Sequence, residues 1–206
     1  MAKKIDQGMI MDALDYCYDK AVNGLPGLDT AEELAQSYSK GAGSSSDKAK
    51  RLVKWQVAKA GTSGFVTGLG GLITLPVAIP ANITSVIYVQ TRMIAAIASM
   101  GKHDIRSDEV RTLSYMCLCG SAITDVAKDI GIQVGAKLSV NAINKISGAT
   151  ITKINQAVGF RLVTKFGQTG VVNLGKAVPL LGGIIGGTVD VISTKTVGKV
   201  AINTFM

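Results

Sequence analysis

The segment GTSGFVTGLGGLITLPVAIPANITSVIYVQTR, residues 61–92, decides how the chain folds. It carries no charged side chain before its last residue, Arg92. Four glycines stand in its first half at spacings of three, four and three residues: Gly61, Gly64, Gly68 and Gly71. On an α-helix this spacing places them on one face, where a second helix can approach closely. The segment therefore predicts a helix that packs tightly against a neighbour.

Two prolines, Pro76 and Pro80, end this first helix, and a second apolar helix is expected over residues 83–100. A helix that spans a membrane needs about 20 uninterrupted apolar residues. The first arm is too short, and the second meets Gln90 and Arg92 before it reaches that length. We therefore expect a buried helical pair, or a hairpin that only dips into a bilayer, rather than a spanning segment.

The C-terminal segment repeats the pattern. It contains two glycine pairs four residues apart: Gly182, Gly183, Gly186 and Gly187. Asp190 follows in apolar surroundings. A buried arginine without a partner is strongly destabilising, whereas a two-pronged carboxylate contact offsets most of the desolvation. We therefore predict that the two glycine-faced helices pack together and that Arg92 pairs with Asp190. Asp125 is the next candidate partner.

A basic amphipathic helix precedes the apolar segment, with the sequence DKAKRLVKWQVAKAG from residue 47. It holds the only tryptophan, Trp55, near Lys50, Arg51 and Lys54. Such a helix can lie on a bilayer, with the indole at the interface and the cations on lipid headgroups. The alternative is a surface helix whose tryptophan packs on the protein core.

The net charge of +8 is concentrated in the C-terminal third, where residues 140–206 hold seven Lys+Arg and one acidic residue. A basic surface attracts phosphate groups, in anionic lipid or in nucleic acid. Nucleic acid is the weaker candidate, because the basic residues are interleaved with Ile, Val and Gly rather than with stacking aromatic side chains. An ordinary solvated face is the alternative.

Residue types that carry chemistry are sparse. The three cysteines, Cys17, Cys117 and Cys119, are odd in number and dispersed, which indicates structural thiols in a reducing cytoplasm. His103 is the only histidine, predicted to lie in a surface turn without a neighbouring nucleophile or second metal ligand. The glycine-rich segment lacks the Gly-Lys-Ser/Thr ending of a phosphate-binding loop. We assign no catalytic residue, metal or cofactor.

The rest of the chain has helical periodicity without alternating β patterns, so we predict an all-α, compact multi-helix bundle with closely packed, glycine-faced central helices. Thr30 with Glu33 fits a capping box, and Ser107 begins a further helix. The predicted organisation is a single domain with amphipathic helices in residues 1–40, a flexible Gly/Ser segment at 41–46 and a helical core at 47–206. No secretory signal is recognised at the N-terminus, which predicts a cytoplasmic protein.

Two separated blocks resemble the bacterial EcsC family. The first contains GFVTGLGGLITLP and then IPAN before an apolar helix with QTRMIAAIA, and the second is the terminal VPLLGGIIGGTVDVISTKTVGKVA. The likeness runs from about residue 47 to the end. It implies an all-α protein found with or near membrane components, in a family whose founding member is encoded beside an ABC transporter. It implies no reaction. Relatives can show asparagine where this chain has Asp190, so the resemblance does not require a negative charge there.

Three functions are therefore considered. The preferred one is a non-enzymatic protein, peripheral on the inner face of the cell membrane, which binds anionic lipid or an apolar segment and serves a membrane, transport or secretion system. The second is an enzyme for a lipid-like or peptide-like substrate, with Arg92 holding an anionic group and Asp125 or Asp190 as acid–base. The third is a small immunity-type interaction module.

Overall fold

The computed structural model describes residues 5–60, 79–131, 139–175 and 182–206, and for residues 167–192 only the helical backbone is described. These ranges contain nine α-helices and no β-strand, which confirms the predicted all-α class. The helices are α1 Gln7–Asn23, α2 Ala31–Ser39, α3 Ser45–Ala60, α4 Ala81–Met100, α5 Asp108–Leu118, α6 Ile123–Ile130, α7 Val140–Ile143, α8 Gly148–Gly175 and α9 Gly182–Phe205. A 3-10 turn, Gly120–Ala122, joins α5 to α6.

Side-chain caps set the starts of several helices. The Thr30 hydroxyl accepts a hydrogen bond from the backbone N–H of Glu33 at 3.1 Å, and the Glu33 carboxylate accepts one from the backbone N–H of Thr30 at 2.8 Å. This is the predicted capping box, in which two otherwise unpaired backbone groups are satisfied. Ser107 likewise caps α5 through the backbone N–H of Val110. Local sequence signals therefore place these helix ends correctly.

The predicted flexible segment at 41–46 is shorter than expected. Helix α3 already begins at Ser45, because the Ser44 hydroxyl accepts a hydrogen bond from the backbone N–H of Asp47 at 3.2 Å. Ser45 and Ser46, which lie in the predicted flexible segment, are therefore part of the first turn of α3. Serine is favoured at such a cap, which explains why composition alone was misleading here.

Helix α4 is the centre of the bundle and contacts α1, α2, α3, α5 and α9. The stretch Ile83–Met100 is long and apolar enough to cross a membrane by length and composition, and it is the one such stretch among the described residues. However, 89% of it is buried by the rest of the protein. Those neighbours give it the environment of a core helix in a packed bundle.

Helices α4 and α9 run side by side in the same direction. Gln90 contacts Thr194, and eleven residues further along each helix the backbone of Gly101 meets that of Phe205. The C-terminal end of α9 covers the turn that follows α4. His103 is therefore buried, with 6% of its surface exposed, and its Nε2 lies 3.1 Å from the carbonyl oxygen of Phe205. The prediction of a surface turn at His103 was wrong.

The glycine-faced helix predicted from Gly61, Gly64, Gly68 and Gly71 lies outside the described residues. The second glycine set, Gly182, Gly183, Gly186 and Gly187, lies in the first turns of α9, but its neighbours are not described. A close approach is instead seen near the other end of α9, where Gly198 faces Val53 of α3. Helix α9 therefore packs against both α3 and α4.

Candidate functional site

The outward side of α3 carries an exposed tryptophan among cations. Lys50, Arg51, Lys54, Trp55 and Ala58 are all exposed, and we call this set the α3 basic face. Their spacings of one, three and four residues place them on one side of the helix. Trp55 leaves 58% of its surface in solvent, although tryptophan is usually well buried. The surface thus combines positive charge with a large apolar ring.

The opposite side of α3 fixes the helix to the bundle. Ala49 and Leu52 are fully buried, and Val53 is 8% exposed against Gly198 of α9. Gln56 is also fully buried. The helical phase that buries these residues turns Trp55 outwards. The alternative in which Trp55 packs on the core is therefore wrong, because the inward face was already filled by smaller side chains.

The cations of the α3 basic face are only weakly engaged within the protein. Lys50 pairs with Asp47 at 3.3 Å, but both side chains are more than half exposed, and such pairs contribute little. Arg51 donates one hydrogen bond to the Ala42 carbonyl oxygen at 3.3 Å. A shallow pocket of about 340 Å³ lies among Arg51, Lys54, Trp55 and Ala58. The face thus presents positive charge and a recess beside Trp55 to solvent.

Arg92 is buried, with 4% of its surface exposed, as its place in an apolar helix suggested. Its Nη1 donates to the carbonyl oxygen of Asp29 at 3.2 Å, and its guanidinium carbon lies 5.5 Å from the centre of the Tyr88 ring. The Asp190 side chain lies outside the described residues, so the proposed Arg92–Asp190 pair stays a prediction. The observed anchors are a backbone carbonyl and an aromatic face, which sequence reasoning did not identify.

Gln90 joins α4 to α9. Its amide nitrogen donates to the hydroxyls of Ser193 at 3.3 Å and Thr194 at 3.1 Å. Because residues two apart on a helix point about 200° apart, Gln90 faces α9 while Arg92 faces the chain that precedes α2. In the described part, an amide and two hydroxyls therefore form hydrogen bonds across the contact between the two apolar helices.

Asp125 does not approach Arg92. It lies on the exposed side of α6, and its carboxylate oxygen is 3.4 Å from a guanidinium nitrogen of Arg161 on α8. The suggestion of Asp125 as a second partner for Arg92 is corrected by this ion pair. The structure brings Gln90 and Arg92 to the core and leaves Asp125 at the surface, so the described residues do not assemble the acid–base arrangement considered for an enzyme.

The three cysteine thiols are buried and stay protonated at neutral pH. Burial raises the pKa of Cys17 and of Cys117 to about 12 and that of Cys119 to about 11. Among the described residues no group of three His, Cys, Asp or Glu side chains is arranged to hold a metal ion. The thiols act in this structure as small apolar packing groups.

A surface network between α1 and α5 was not recognised from the sequence. Arg111 pairs with Asp19 and, at 3.8 Å, with Asp15. The buried Tyr115 donates its hydroxyl to Asp15 at 2.6 Å, while Arg111 lies over the ring of Tyr18. These residues are about a hundred positions apart in the chain, and no local signal links them. The network holds α1 and α5 together.

Comparison with known proteins assigns the chain to a family. Neither a curated protein nor a solved structure matches the chain significantly. The sequence model of the EcsC protein family matches residues 28–206, which begins before the segments quoted above and includes α2 and α3. Because the match covers most of the chain, the protein belongs to the EcsC protein family.

Proposed function

We propose that this protein is a non-enzymatic, peripheral membrane protein that docks on the anionic inner face of the cell membrane through the α3 basic face. The observation that carries the proposal is the exposure of Trp55, 58% of whose surface faces solvent beside three cations. Tryptophan prefers the boundary between headgroups and acyl chains, and lysine and arginine prefer anionic headgroups. One helix face offers both.

The energy of docking follows from the charges. Each Lys or Arg near an anionic membrane surface contributes about 1 kcal/mol. Lys50, Arg51 and Lys54 therefore contribute about 3 kcal/mol together, from which the neighbouring Asp47 subtracts a part. Partition of the indole into the interface adds to this. Association of this size is reversible and sensitive to salt, as expected for a peripheral protein.

The same face explains how the bundle can dock without opening. The inward side of α3 is packed against α9, so Trp55 projects from a rigid helix rather than from a loop. The apolar helix α4 stays in the core, where its own neighbours cover it. Binding therefore needs no exposure of α4 to lipid.

Co-sedimentation with vesicles tests the docking surface. We compare phosphatidylcholine vesicles with vesicles that contain about one-third phosphatidylglycerol, at about 0.05 M and about 0.5 M salt. The triple variant Lys50→Gln, Arg51→Gln, Lys54→Gln is expected to bind anionic vesicles about 100-fold more weakly. The matched control removes the same charge elsewhere through three exposed lysines: Lys128, Lys145 and Lys153.

A tryptophan variant separates the apolar contribution from the electrostatic one. Trp55→Ser is expected to weaken binding in both salt conditions, whereas Phe160→Ser, which removes an aromatic ring with 67% exposure on α8, should leave it unchanged. No binding of the wild-type protein to anionic vesicles at low salt would refute the proposal. Equal losses in the basic-face and control variants would refute the assignment of the face.

Service to a membrane-embedded transport or secretion system is the second part of the proposal, and it rests on what membership of the EcsC family implies. Purification from native membranes, with identification of co-purifying lipid and protein, tests it. Recovery of a membrane transporter with the wild-type protein would support this role. Recovery of an unrelated soluble toxin would favour an immunity-type module instead.

A further inference from the structure

A separate pocket of about 490 Å³ lies where the 3-10 turn meets α8 and α9. Its volume falls within the range of small-molecule sites, about 300–1,000 Å³. Leu162 and Ala122 contribute apolar wall, while Ser121, Ser193 and Thr196 contribute hydroxyls. Nothing in the sequence marked this pocket, because its walls come from three parts of the chain.

Two cations line the pocket from successive turns of α8. Arg161 and Lys165 are four residues apart, so their side chains lie on the same face of the helix. None of the described lining residues is acidic. The wall therefore has a net positive charge with hydroxyl groups beside it, which is the donor set that an anion requires.

The charges of Lys165 and Arg161 affect the pKa of Cys119, which also lines the pocket. Burial is the largest influence on Cys119 and raises its pKa, while Lys165 and Arg161 both act in the opposite direction through their charges. Both cations are therefore close enough to influence a group inside the pocket. Cys119 remains a neutral thiol and adds apolar surface.

The internal contacts of the two cations hold them in place over the pocket. Lys165 donates to the carbonyl oxygen of Leu118 at 3.1 Å, which places its ammonium group at the end of α5. Arg161 contacts Asp125 at 3.4 Å, and both side chains are substantially exposed, at 40% and 59%. A guanidinium has five N–H donors, and an exposed ion pair of this kind is weak. Arg161 can therefore turn its remaining donors to a ligand.

We propose that this pocket binds a ligand that carries a phosphate group. Arg161 offers the planar fork that matches two phosphate oxygens, and Lys165 adds a second charge. Ser121 and Thr196 add hydroxyl groups to the pocket wall, and Ala122 adds apolar surface beside them. A phospholipid headgroup and a soluble phosphate ester share this chemistry.

This site is independent of membrane docking through α3. On α9, Gly198 faces α3, whereas Thr196 lines the pocket. Residues two apart on a helix point about 200° apart, so the pocket and α3 lie on nearly opposite sides of α9. The proposal therefore does not rest on the proposed function, and either can fail alone.

Isothermal titration of the full chain tests the pocket with three water-soluble probes: inorganic phosphate, glycerol 3-phosphate, and dihexanoyl phosphatidate below its micelle concentration. Two variants act by different routes. Arg161→Gln removes the guanidinium group, and Ser121→Phe fills the pocket from an exposed position on the 3-10 turn. Lys153→Gln, which removes an exposed charge elsewhere on α8, is the matched control.

We expect saturable binding that each pocket variant weakens at least about tenfold and that the control leaves unchanged. Phosphatidate binding at least about tenfold tighter than glycerol 3-phosphate would assign the ligand to lipid, and similar affinities would assign it to a soluble ester. Binding should persist in the Lys50→Gln, Arg51→Gln, Lys54→Gln variant. No binding of any probe, or binding that survives both pocket variants, would overturn the proposal.

Discussion

The close contact between α3 and α9 makes a quantitative prediction about Gly198. A methyl group added at this position would lie 2.6 and 2.7 Å from the two γ-carbons of Val53. Valine is stiff about its first side-chain torsion, and both of its methyl groups are in the way, so no simple rotation relieves the clash. The two helices would have to move apart.

The expected magnitude follows from two opposing effects. Glycine to alanine within a helix gains up to about 1 kcal/mol of intrinsic helix propensity. Overpacking of a tight interior contact costs about 1–3 kcal/mol. We therefore expect Gly198→Ala to destabilise the protein by up to about 2 kcal/mol. Val53→Ala alone should cost about 2 kcal/mol, because Val53 is buried and loses two methyl groups.

A double-mutant cycle tests the contact itself. If the clash is the cause, the double variant Val53→Ala, Gly198→Ala should be more stable than the sum of the single effects by about 2 kcal/mol. Urea unfolding followed by circular dichroism gives the four free energies of unfolding. Gly148→Ala, where an added methyl group meets nothing within 4 Å, is the control and should change stability little. Additivity within about 0.5 kcal/mol would refute the reasoning.

Three further predictions concern the described side chains. Hydrogen bonds from Thr30 lower the pKa of the Glu33 carboxyl group in the folded protein. The ionised carboxylate therefore stabilises the fold above the unfolded pKa of about 4.3, and this stabilisation is lost as the pH falls through the lower folded pKa. The urea midpoint of unfolding of the wild type should therefore exceed that of Glu33→Gln at pH 7, and the two midpoints should become equal at low pH. A difference that does not change with pH would contradict this. The three cysteines, whose pKa values burial raises to about 11 or 12, should react with Ellman's reagent at pH 8 only after unfolding, and rapid labelling of the native protein would contradict their burial. Tyr115→Phe removes the 2.6 Å hydrogen bond to Asp15 and should lower the free energy of unfolding by about 1 kcal/mol, measured by urea unfolding; no change would show that the bond is energetically neutral.

The sequence predicted those features that depend on a few neighbouring residues. The capping box at Thr30 and the cap at Ser107 both follow from short-range chemistry. In each case the signal and the structure lie within a few turns of chain.

Features that depend on distant partners were not predictable in the same way. His103 is buried because Phe205, about a hundred residues later, covers it. Trp55 is exposed because smaller residues already fill the inward face of α3, and hydrophobicity alone suggested the reverse. Arg92 was correctly identified as a buried cation, but the Asp29 carbonyl that anchors it carries no sequence signature. The pocket lined by the 3-10 turn, α8 and α9 likewise requires three segments to meet.

The fluorescence of Trp55 tests the membrane-docking proposal most directly, since it is the only tryptophan in the chain and lies on the proposed face. With anionic vesicles at low salt, we predict a blue-shifted emission and quenching by lipids brominated on their acyl chains, both reversed at high salt. The Lys50→Gln, Arg51→Gln, Lys54→Gln variant should show a much smaller change. Emission that stays unshifted and unquenched while the protein co-sediments with the vesicles would show that another surface binds the membrane and would contradict the proposal.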